Sequence, residues 1–283
     1  SDLYMAQGLI ASLGRGLTLK VVEPEQVEAA IDDTIAVLML TEVDYRTGRL
    51  HDMQALTTKA HAAGALTVWD LAHSAGALPV DLTAAKADFA IGCTYKYLNG
   101  GPGAPAFIYV APKHQETARP ALSGWLGHEA PFAFDLDYRP GPGIERMRCG
   151  TPPIIALAAL EAALDAWDGV SMEDVRVKSV ALCDLFIKEV EASCPGLTLA
   201  SPRDGRDRGS QVSFRHPEGY AIMQALIARG VIGDFRAPNL IRFGFTPLYT
   251  SYRDMWNAVE ILRDVLATEA WKDPRYAVAN AVT

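Results

Sequence analysis

The chain has little cysteine and no pattern in what it has. Four thiols among 283 residues (Cys93, Cys149, Cys183 and Cys194) show no Cys-x-x-Cys spacing and no dense framework. That excludes a disulfide scaffold and a zinc ribbon, and a reduced, cytoplasmic protein is the simplest expectation. Six histidines are scattered with no His-Glu-x-x-His pair, so no metal site is expected. Positive charge is also short, at 26 Lys+Arg against 34 Asp+Glu and a formal net charge of -8. A nucleic-acid or anionic-membrane partner would then need a local basic patch. The cluster Arg203, Arg206 and Arg208 is interrupted by Asp204 and Asp207, so neither partner is expected. No apolar run approaches the roughly 20 residues that span a bilayer. No Gly-x-Gly-x-x-Gly follows an early strand, which argues against a Rossmann dinucleotide site. There is no initiator Met, signal peptide or tag. Ser1-Asp2-Leu3-Tyr4 leads almost at once into a helix that Asp2 could cap, and natural sequence is expected upstream of Ser1.

What is present is apolar patterning. The chain is 49% hydrophobic, enough for one large core or two modest ones. Up to about residue 110, strands expected at 17–22, 35–40, 65–69, 88–92 and 106–110 alternate with helices at 24–31 and 52–63. The uninterrupted Ile35-Ala36-Val37-Leu38-Met39-Leu40 fits a strand covered on both faces. Gly64 stops the second helix. Such alternation predicts an α/β fold: a mainly parallel sheet with helices on both faces. Residues 112–150 are irregular, and Pro140-Gly141-Pro142-Gly143 is a loop. Long helices are expected at 151–167 and 171–192, the second capped by Ser171. Strands at 197–200, 211–214, 231–234 and 240–245 with helices at 219–229 and 251–266 then form a smaller α+β unit. The division is expected as residues 1–165 and 166–283.

The most informative pair is Asp70 and Lys96. Asp70 follows Ala65-Leu66-Thr67-Val68-Trp69, and seventeen residues separate it from the next strand, enough for a right-handed crossover. Both strands then run the same way. Asp70 and the loop with Lys96 come to the carboxyl ends, the ligand-binding edge of open α/β sheets. A carboxylate that holds a pyridinium nitrogen and a lysine that forms an imine are what a pyridoxal phosphate enzyme takes from its sheet. Taken singly, Asp70 could cap a turn and Lys96 could be an ordinary loop lysine. His73 suits either a cofactor contact or a backbone partner near a helix start. Tyr95 offers a phenol for acid-base work or simply a packed aromatic. Arg242 lies in the apolar run Asn239-Leu240-Ile241-Arg242-Phe243, where a guanidinium needs an anion. A substrate carboxylate and a structural Asp or Glu fit equally well. Gly100-Gly101-Pro102-Gly103 would let the backbone turn sharply past the lysine.

Four stretches carry a resemblance to a known family. They are Trp69-Asp70-Leu71-Ala72-His73-Ser74-Ala75-Gly76-Ala77; Gly92-Cys93-Thr94-Tyr95-Lys96-Tyr97-Leu98-Asn99-Gly100-Gly101-Pro102-Gly103; Leu122-Ser123-Gly124-Trp125-Leu126-Gly127-His128; and Ile241-Arg242-Phe243-Gly244-Phe245-Thr246-Pro247-Leu248-Tyr249. They resemble the kynureninase family, within the aminotransferase class V group of pyridoxal phosphate enzymes. The resemblance implies a fold type I architecture, with a large domain built on a seven-stranded-type sheet. It also implies hydrolysis of L-kynurenine to anthranilate and L-alanine in tryptophan catabolism, and a cytoplasmic homodimer with shared sites. It makes Lys96 the imine lysine and Asp70 the partner of the ring nitrogen. Ser1 and Asp2 would lie near the ring, and His73 and Tyr95 would contact the cofactor, Tyr95 also acting as acid-base catalyst. Trp125 and Thr151 would reach the partner's site, Thr151 with a leaning toward kynurenine over its 3-hydroxy form. Arg242 would bind the substrate carboxylate. The family's Ser/Thr phosphate loop and stacking aromatic have no counterpart here, so weak cofactor binding by this piece alone is implied. Rival expectations are another class V enzyme, a cysteine desulfurase or small-substrate aminotransferase, and a non-catalytic fragment.

Overall fold

The computed structural model describes residues 1–278. Sixteen regular elements follow one another as α1 (Asp2–Leu13), α2 (Val27–Ala30), β1 (Val37–Thr41), α3 (Met53–Ala62), β2 (Leu66–Asp70), β3 (Phe89–Cys93), β4 (Ala106–Val110), α4 (Pro112–Gln115), α5 (Ile154–Leu164), α6 (Met172–Ser193), β5 (Thr198–Leu199), β6 (Gln211–Arg215), α7 (Gly219–Ile227), β7 (Asp234–Arg236), β8 (Leu240–Gly244) and α8 (Tyr252–Ala267). Short 3-10 turns complete several of the connections.

The first sheet has the order β1-β2-β3-β4. β1, β2 and β3 run parallel, with Thr41 opposite Asp70 and Asp70 opposite Ile91. β4 returns antiparallel, because the twelve residues after Cys93 hold a glycine loop and no crossover helix. Asp52 caps α3 through the Ala55 N–H at 2.9 Å, and Gly64 ends it at φ 85°. α3 lays Met53 and Leu56 on Trp69 of β2 and on Val27 and Ile31, forming the first core.

The second sheet has the order β5-β6-β8-β7 and is antiparallel throughout. α6, α7 and α8 close over it, burying Leu182, Phe186, Ile222, Leu226, Val259 and Leu262 against Phe214, Ile241 and Phe243. Ser171 and Ser251 cap α6 and α8 through the N–H groups of Asp174 and Asp254.

Three expectations change. Residues 17–22 form no strand; Leu17, Leu19 and Val21 are exposed with no ladder to join. The strand expected at 231–234 lies at Asp234–Arg236, where β8 sets its register. Asp2 is in the first turn of α1 instead of capping it, and Ser1 holds the cap position without a side-chain bond. Among the described residues no helix is long and apolar enough to cross a membrane.

Candidate active site

The candidate site forms where β1, β2 and β3 end. Parallel pairing brings Asp70, at the last position of β2, beside the loop that leaves β3 at Cys93. Asp70 is partly buried, and its Oδ1 accepts the Ala72 N–H at 2.7 Å. Burial holds this carboxyl above the ordinary range. The Ala72 bond pulls it down, the neighbouring Asp2 carboxyl pushes it up, and Lys96 draws it down again. Asp2 therefore joins Asp70, although α1 has no buried residue.

Lys96 is half-buried. Its Nζ is 3.4 Å from Cys93 Sγ and 4.7 Å from the Tyr95 ring centroid. Tyr95 itself is exposed. The lysine loop is braced from below by Tyr97, which is buried and donates to the Ser210 carbonyl at 3.1 Å. Gly76, at φ 81°, lets the turn after Asp70 press on that loop; a Cβ there would meet the Tyr97 carbonyl carbon at 2.8 Å. Gly101, at φ 74°, makes the turn past the lysine that the sequence suggests.

His73 faces the same space. Burial, then the charges of Lys96, Arg242 and Arg236, push its imidazole down to about 3. It is neutral at ordinary pH, able to lie against a ring or hydrogen-bond without adding charge.

Arg242, in the middle of β8, answers the expectation of an anion with one from its own chain. One terminal nitrogen donates to Asp234 and the other to the Tyr45 carbonyl. Asp234 also pairs with Arg236 at 2.7 Å. Among the described residues, the Nε–H and the remaining N–H bonds of Arg242 have no other acceptor. Sequence reasoning passed over Asp234 and Arg236; the alternating Asp-x-Arg beside Pro238 was the available signal. It also passed over Glu42, which follows the end of β1 as Asp70 closes β2. Among the described residues no group of three or more His, Cys, Asp or Glu side chains could hold a metal ion.

The segments that carry Trp125 and Thr151 come together, with no hydrogen bond to the residues above among the described residues. Leu126 N–H donates to the Cys149 carbonyl at 3.4 Å, and Cys149 Sγ approaches the Leu122 carbonyl at 3.4 Å, so the two segments pack edge to edge. Both side chains are exposed. Trp125 meets Phe132 edge-on at 5.8 Å.

Comparison with known proteins decides the lineage. A kynureninase from Burkholderia mallei is 55% identical over 286 aligned positions, covering all of this chain and 69% of its own length. A kynureninase from Pseudomonas fluorescens is 54% identical with the same coverage. This chain belongs to the kynureninase family. Residues 175–262 match the kynureninase C-terminal domain, the stretch that carries α6 through α8. Among solved structures, a cysteine desulfurase from Thermococcus onnurineus superposes with a TM-score of 0.78 at 20% identity, over 94% of this chain and 70% of that one. A mutant C-DES with glycine linked to its PLP cofactor gives 0.74 at 17% identity, over 93% and 71%. At these identities the likeness is one of fold, the α/β architecture of fold type I.

The two cysteines of the second unit read as structural. Cys183 and Cys194 are buried, and burial pushes the Cys183 thiol up to about 12. A sulfur-transfer nucleophile needs an accessible thiolate, which neither offers.

Proposed function

We propose that this chain carries the catalytic site of a pyridoxal 5'-phosphate-dependent hydrolase that cleaves L-kynurenine to anthranilate and L-alanine. One observation carries the reading: at adjoining carboxyl ends of parallel strands, a half-buried acid pair, Asp70 with Asp2, lies within the field of a lysine that has no carboxylate partner of its own among the described residues. The residues fit the cofactor. Among the described residues neither of the two neighbouring carboxyls, one of them held above its ordinary range by burial, has an ion-pair partner, and a protonated ring nitrogen would be one. When bound, pyridoxal 5'-phosphate supplies an electron sink next to the substrate's α-carbon, which makes the bond beside the ketone breakable.

The chain's own residues have the following tasks. Lys96 Nζ anchors the cofactor and carries a proton to and from the α-carbon. Asp70 holds the ring nitrogen protonated, and Asp2 supports it electrostatically; Ser1 lies beside it in the chain. Neutral His73 would contact the cofactor without adding charge to the site. Tyr95 Oη delivers and accepts a proton as the carbon–carbon bond breaks. Arg242 takes the α-carboxylate through the N–H bonds that Asp234 and Tyr45 leave open, and those two contacts fix its plane.

The site is shared between two copies in a cytoplasmic homodimer. Trp125 and Thr151 are exposed on two segments that hydrogen-bond to each other, as residues that serve a neighbour's site would be. The cofactor-binding unit extends to residue 165 and the smaller unit from 166.

The test is product analysis on the intact enzyme. Release of anthranilate from kynurenine is expected, with no sulfur released from cysteine. Sulfur release without anthranilate would assign the site to the desulfurase branch instead.

A further inference from the structure

A buried acid stands beside the candidate site with no task in the reaction above. Glu42 directly follows β1, whose last residue, Thr41, is the register partner of Asp70. Only 5% of Glu42 is exposed. Its N–H donates to the Asp70 carbonyl at 2.9 Å and its carbonyl accepts the His51 N–H at 2.9 Å. The backbone is thus pinned on both sides.

The side chain is less settled. The carboxyl lies against the Ser74 hydroxyl. Yet Glu42 Oε2 and Ser74 Oγ, both shut away from water, make no well-formed hydrogen bond to any group among the described residues. Burial and that hydroxyl are the influences on the acid, and no charged group is among them. The titratable groups on the segments around it are Asp70 and His73 on one side and Asp44, Arg49 and His51 on the other. Buried polar atoms left without partners are costly, and neighbouring ones normally satisfy each other.

Ser74 is central to the turn that serves the site. Its N–H donates to Leu71 at 3.0 Å and its carbonyl accepts from Ala77 at 2.8 Å. The same turn presents Ala72 to Asp70, carries His73, and presses Gly76 on the lysine loop.

We propose that Glu42 is a positioning residue: as a neutral acid it donates its proton to Ser74 Oγ and clamps the turn that aims Asp70 and His73 at the cofactor. The proposal rests on the pyridoxal phosphate reading above. The Ser74 hydroxyl could donate to an ionised Glu42, but that carboxylate would be a buried charge with no counter-ion and a single hydroxyl proton to share; the protonated carboxyl avoids the charge and adds a second donor, aimed at Ser74 Oγ. Burial pushes Glu42 up to about 7, so the acid form persists toward neutrality. The sign follows. A carboxyl with a raised folded-state pKa contributes its stability below the ordinary range of 4.5 and loses it as pH rises through about 7.

The experiment measures the affinity of the intact protein for pyridoxal 5'-phosphate by equilibrium dialysis from about pH 5.5 to about pH 8.5. The wild-type protein, Glu42→Gln and Ser74→Ala are compared. The ionisations of the cofactor, and of Asp70 at about 6, are common to all three proteins, and the slopes compared are those left over that shared baseline. Wild type is expected to lose several-fold in affinity across the range. Glu42→Gln, a donor at every pH, stays level and binds tighter than wild type at the alkaline end. Ser74→Ala, with no acceptor to clamp, binds several-fold more weakly at the acid end and is also level. A wild-type slope retained in Glu42→Gln overturns the proposal. Borohydride reduction is run alongside. If wild type gives no pyridoxyl group on Lys96, the cofactor reading falls and the proposal with it. An adduct together with an unchanged slope removes only the role of Glu42.

Discussion

At the residue scale, the candidate site combines groups whose charges are set by their surroundings. His73 is neutral because burial and three nearby cations forbid a fourth. Arg242 is held in a plane by Asp234 and the Tyr45 carbonyl, so its worth to a substrate is geometric as much as electrostatic. Arg242→Ala is expected to cost about 1.5–3 kcal/mol in kcat/KM for kynurenine, the worth of a charged hydrogen bond. Arg242→Lys should recover little, because a point charge cannot replace a planar fork. An unchanged specificity constant in either variant removes Arg242 from the substrate site. Tyr95 is open to solvent beside Lys96, and Tyr95→Phe is expected to slow turnover while the cofactor still attaches to the lysine. Normal turnover in that variant would end the acid-base role.

At the element scale, the strand ends were legible in the sequence and the returns between them only partly so. Asp70 and Lys96 could be brought to one edge because seventeen residues between strands demand a crossover, and a crossover demands parallel pairing. Between Cys93 and Ala106 the twelve residues are a glycine loop with no crossover helix, which fits the antiparallel β4 that the general alternation concealed. Arg242 could be seen to need an anion, but its partner could not be named while the neighbouring strand was placed at 231–234. Cross-sheet register, which sets Asp234 opposite Arg242, is a tertiary fact. A second arrangement was invisible for the same reason. At the opposite end of β3, just before Phe89, the fully buried Asp88 carboxylate accepts from His61 at 2.7 Å, His114 at 2.8 Å, Lys113 at 2.7 Å and the Thr67 N–H at 2.9 Å. It ties α3, β2 and α4 to one point. Burial alone would raise its pKa, but its partners outweigh that and hold it well below the carboxylate range. A depressed carboxyl contributes stability above its unfolded value and loses it as pH falls through the folded one, so this knot is expected to weaken only in strong acid. Asp88→Asn should cost about 1–3 kcal/mol of unfolding free energy, read from denaturant midpoints, with kynurenine cleavage retained at low temperature. A midpoint equal to wild type would show that the knot contributes nothing.

At the scale of the whole molecule, the two sheets are joined beside the candidate site by Tyr97 to the Ser210 carbonyl and Arg242 to the Tyr45 carbonyl. The first sheet supplies Asp70 and the loop that carries Lys96, α1 supplies Asp2, and the second sheet supplies the arginines whose charge His73 feels. The proposed sharing of sites between copies has a direct consequence. Lys96→Ala and Trp125→Ala, each inactive or weak alone, should regain about a quarter of wild-type activity when their subunits are exchanged in equal amounts, since half the dimers then hold one intact site. No recovery after demonstrated exchange would confine each site to a single copy. The central claim, that Lys96 anchors pyridoxal phosphate while Asp70 steadies its ring, is tested most directly by borohydride reduction of the intact enzyme followed by peptide mass mapping. The expected result is a single pyridoxyl group on Lys96, with Asp70→Ala reducing its yield. A pyridoxyl group on a different lysine, or none on the wild-type enzyme, would contradict it.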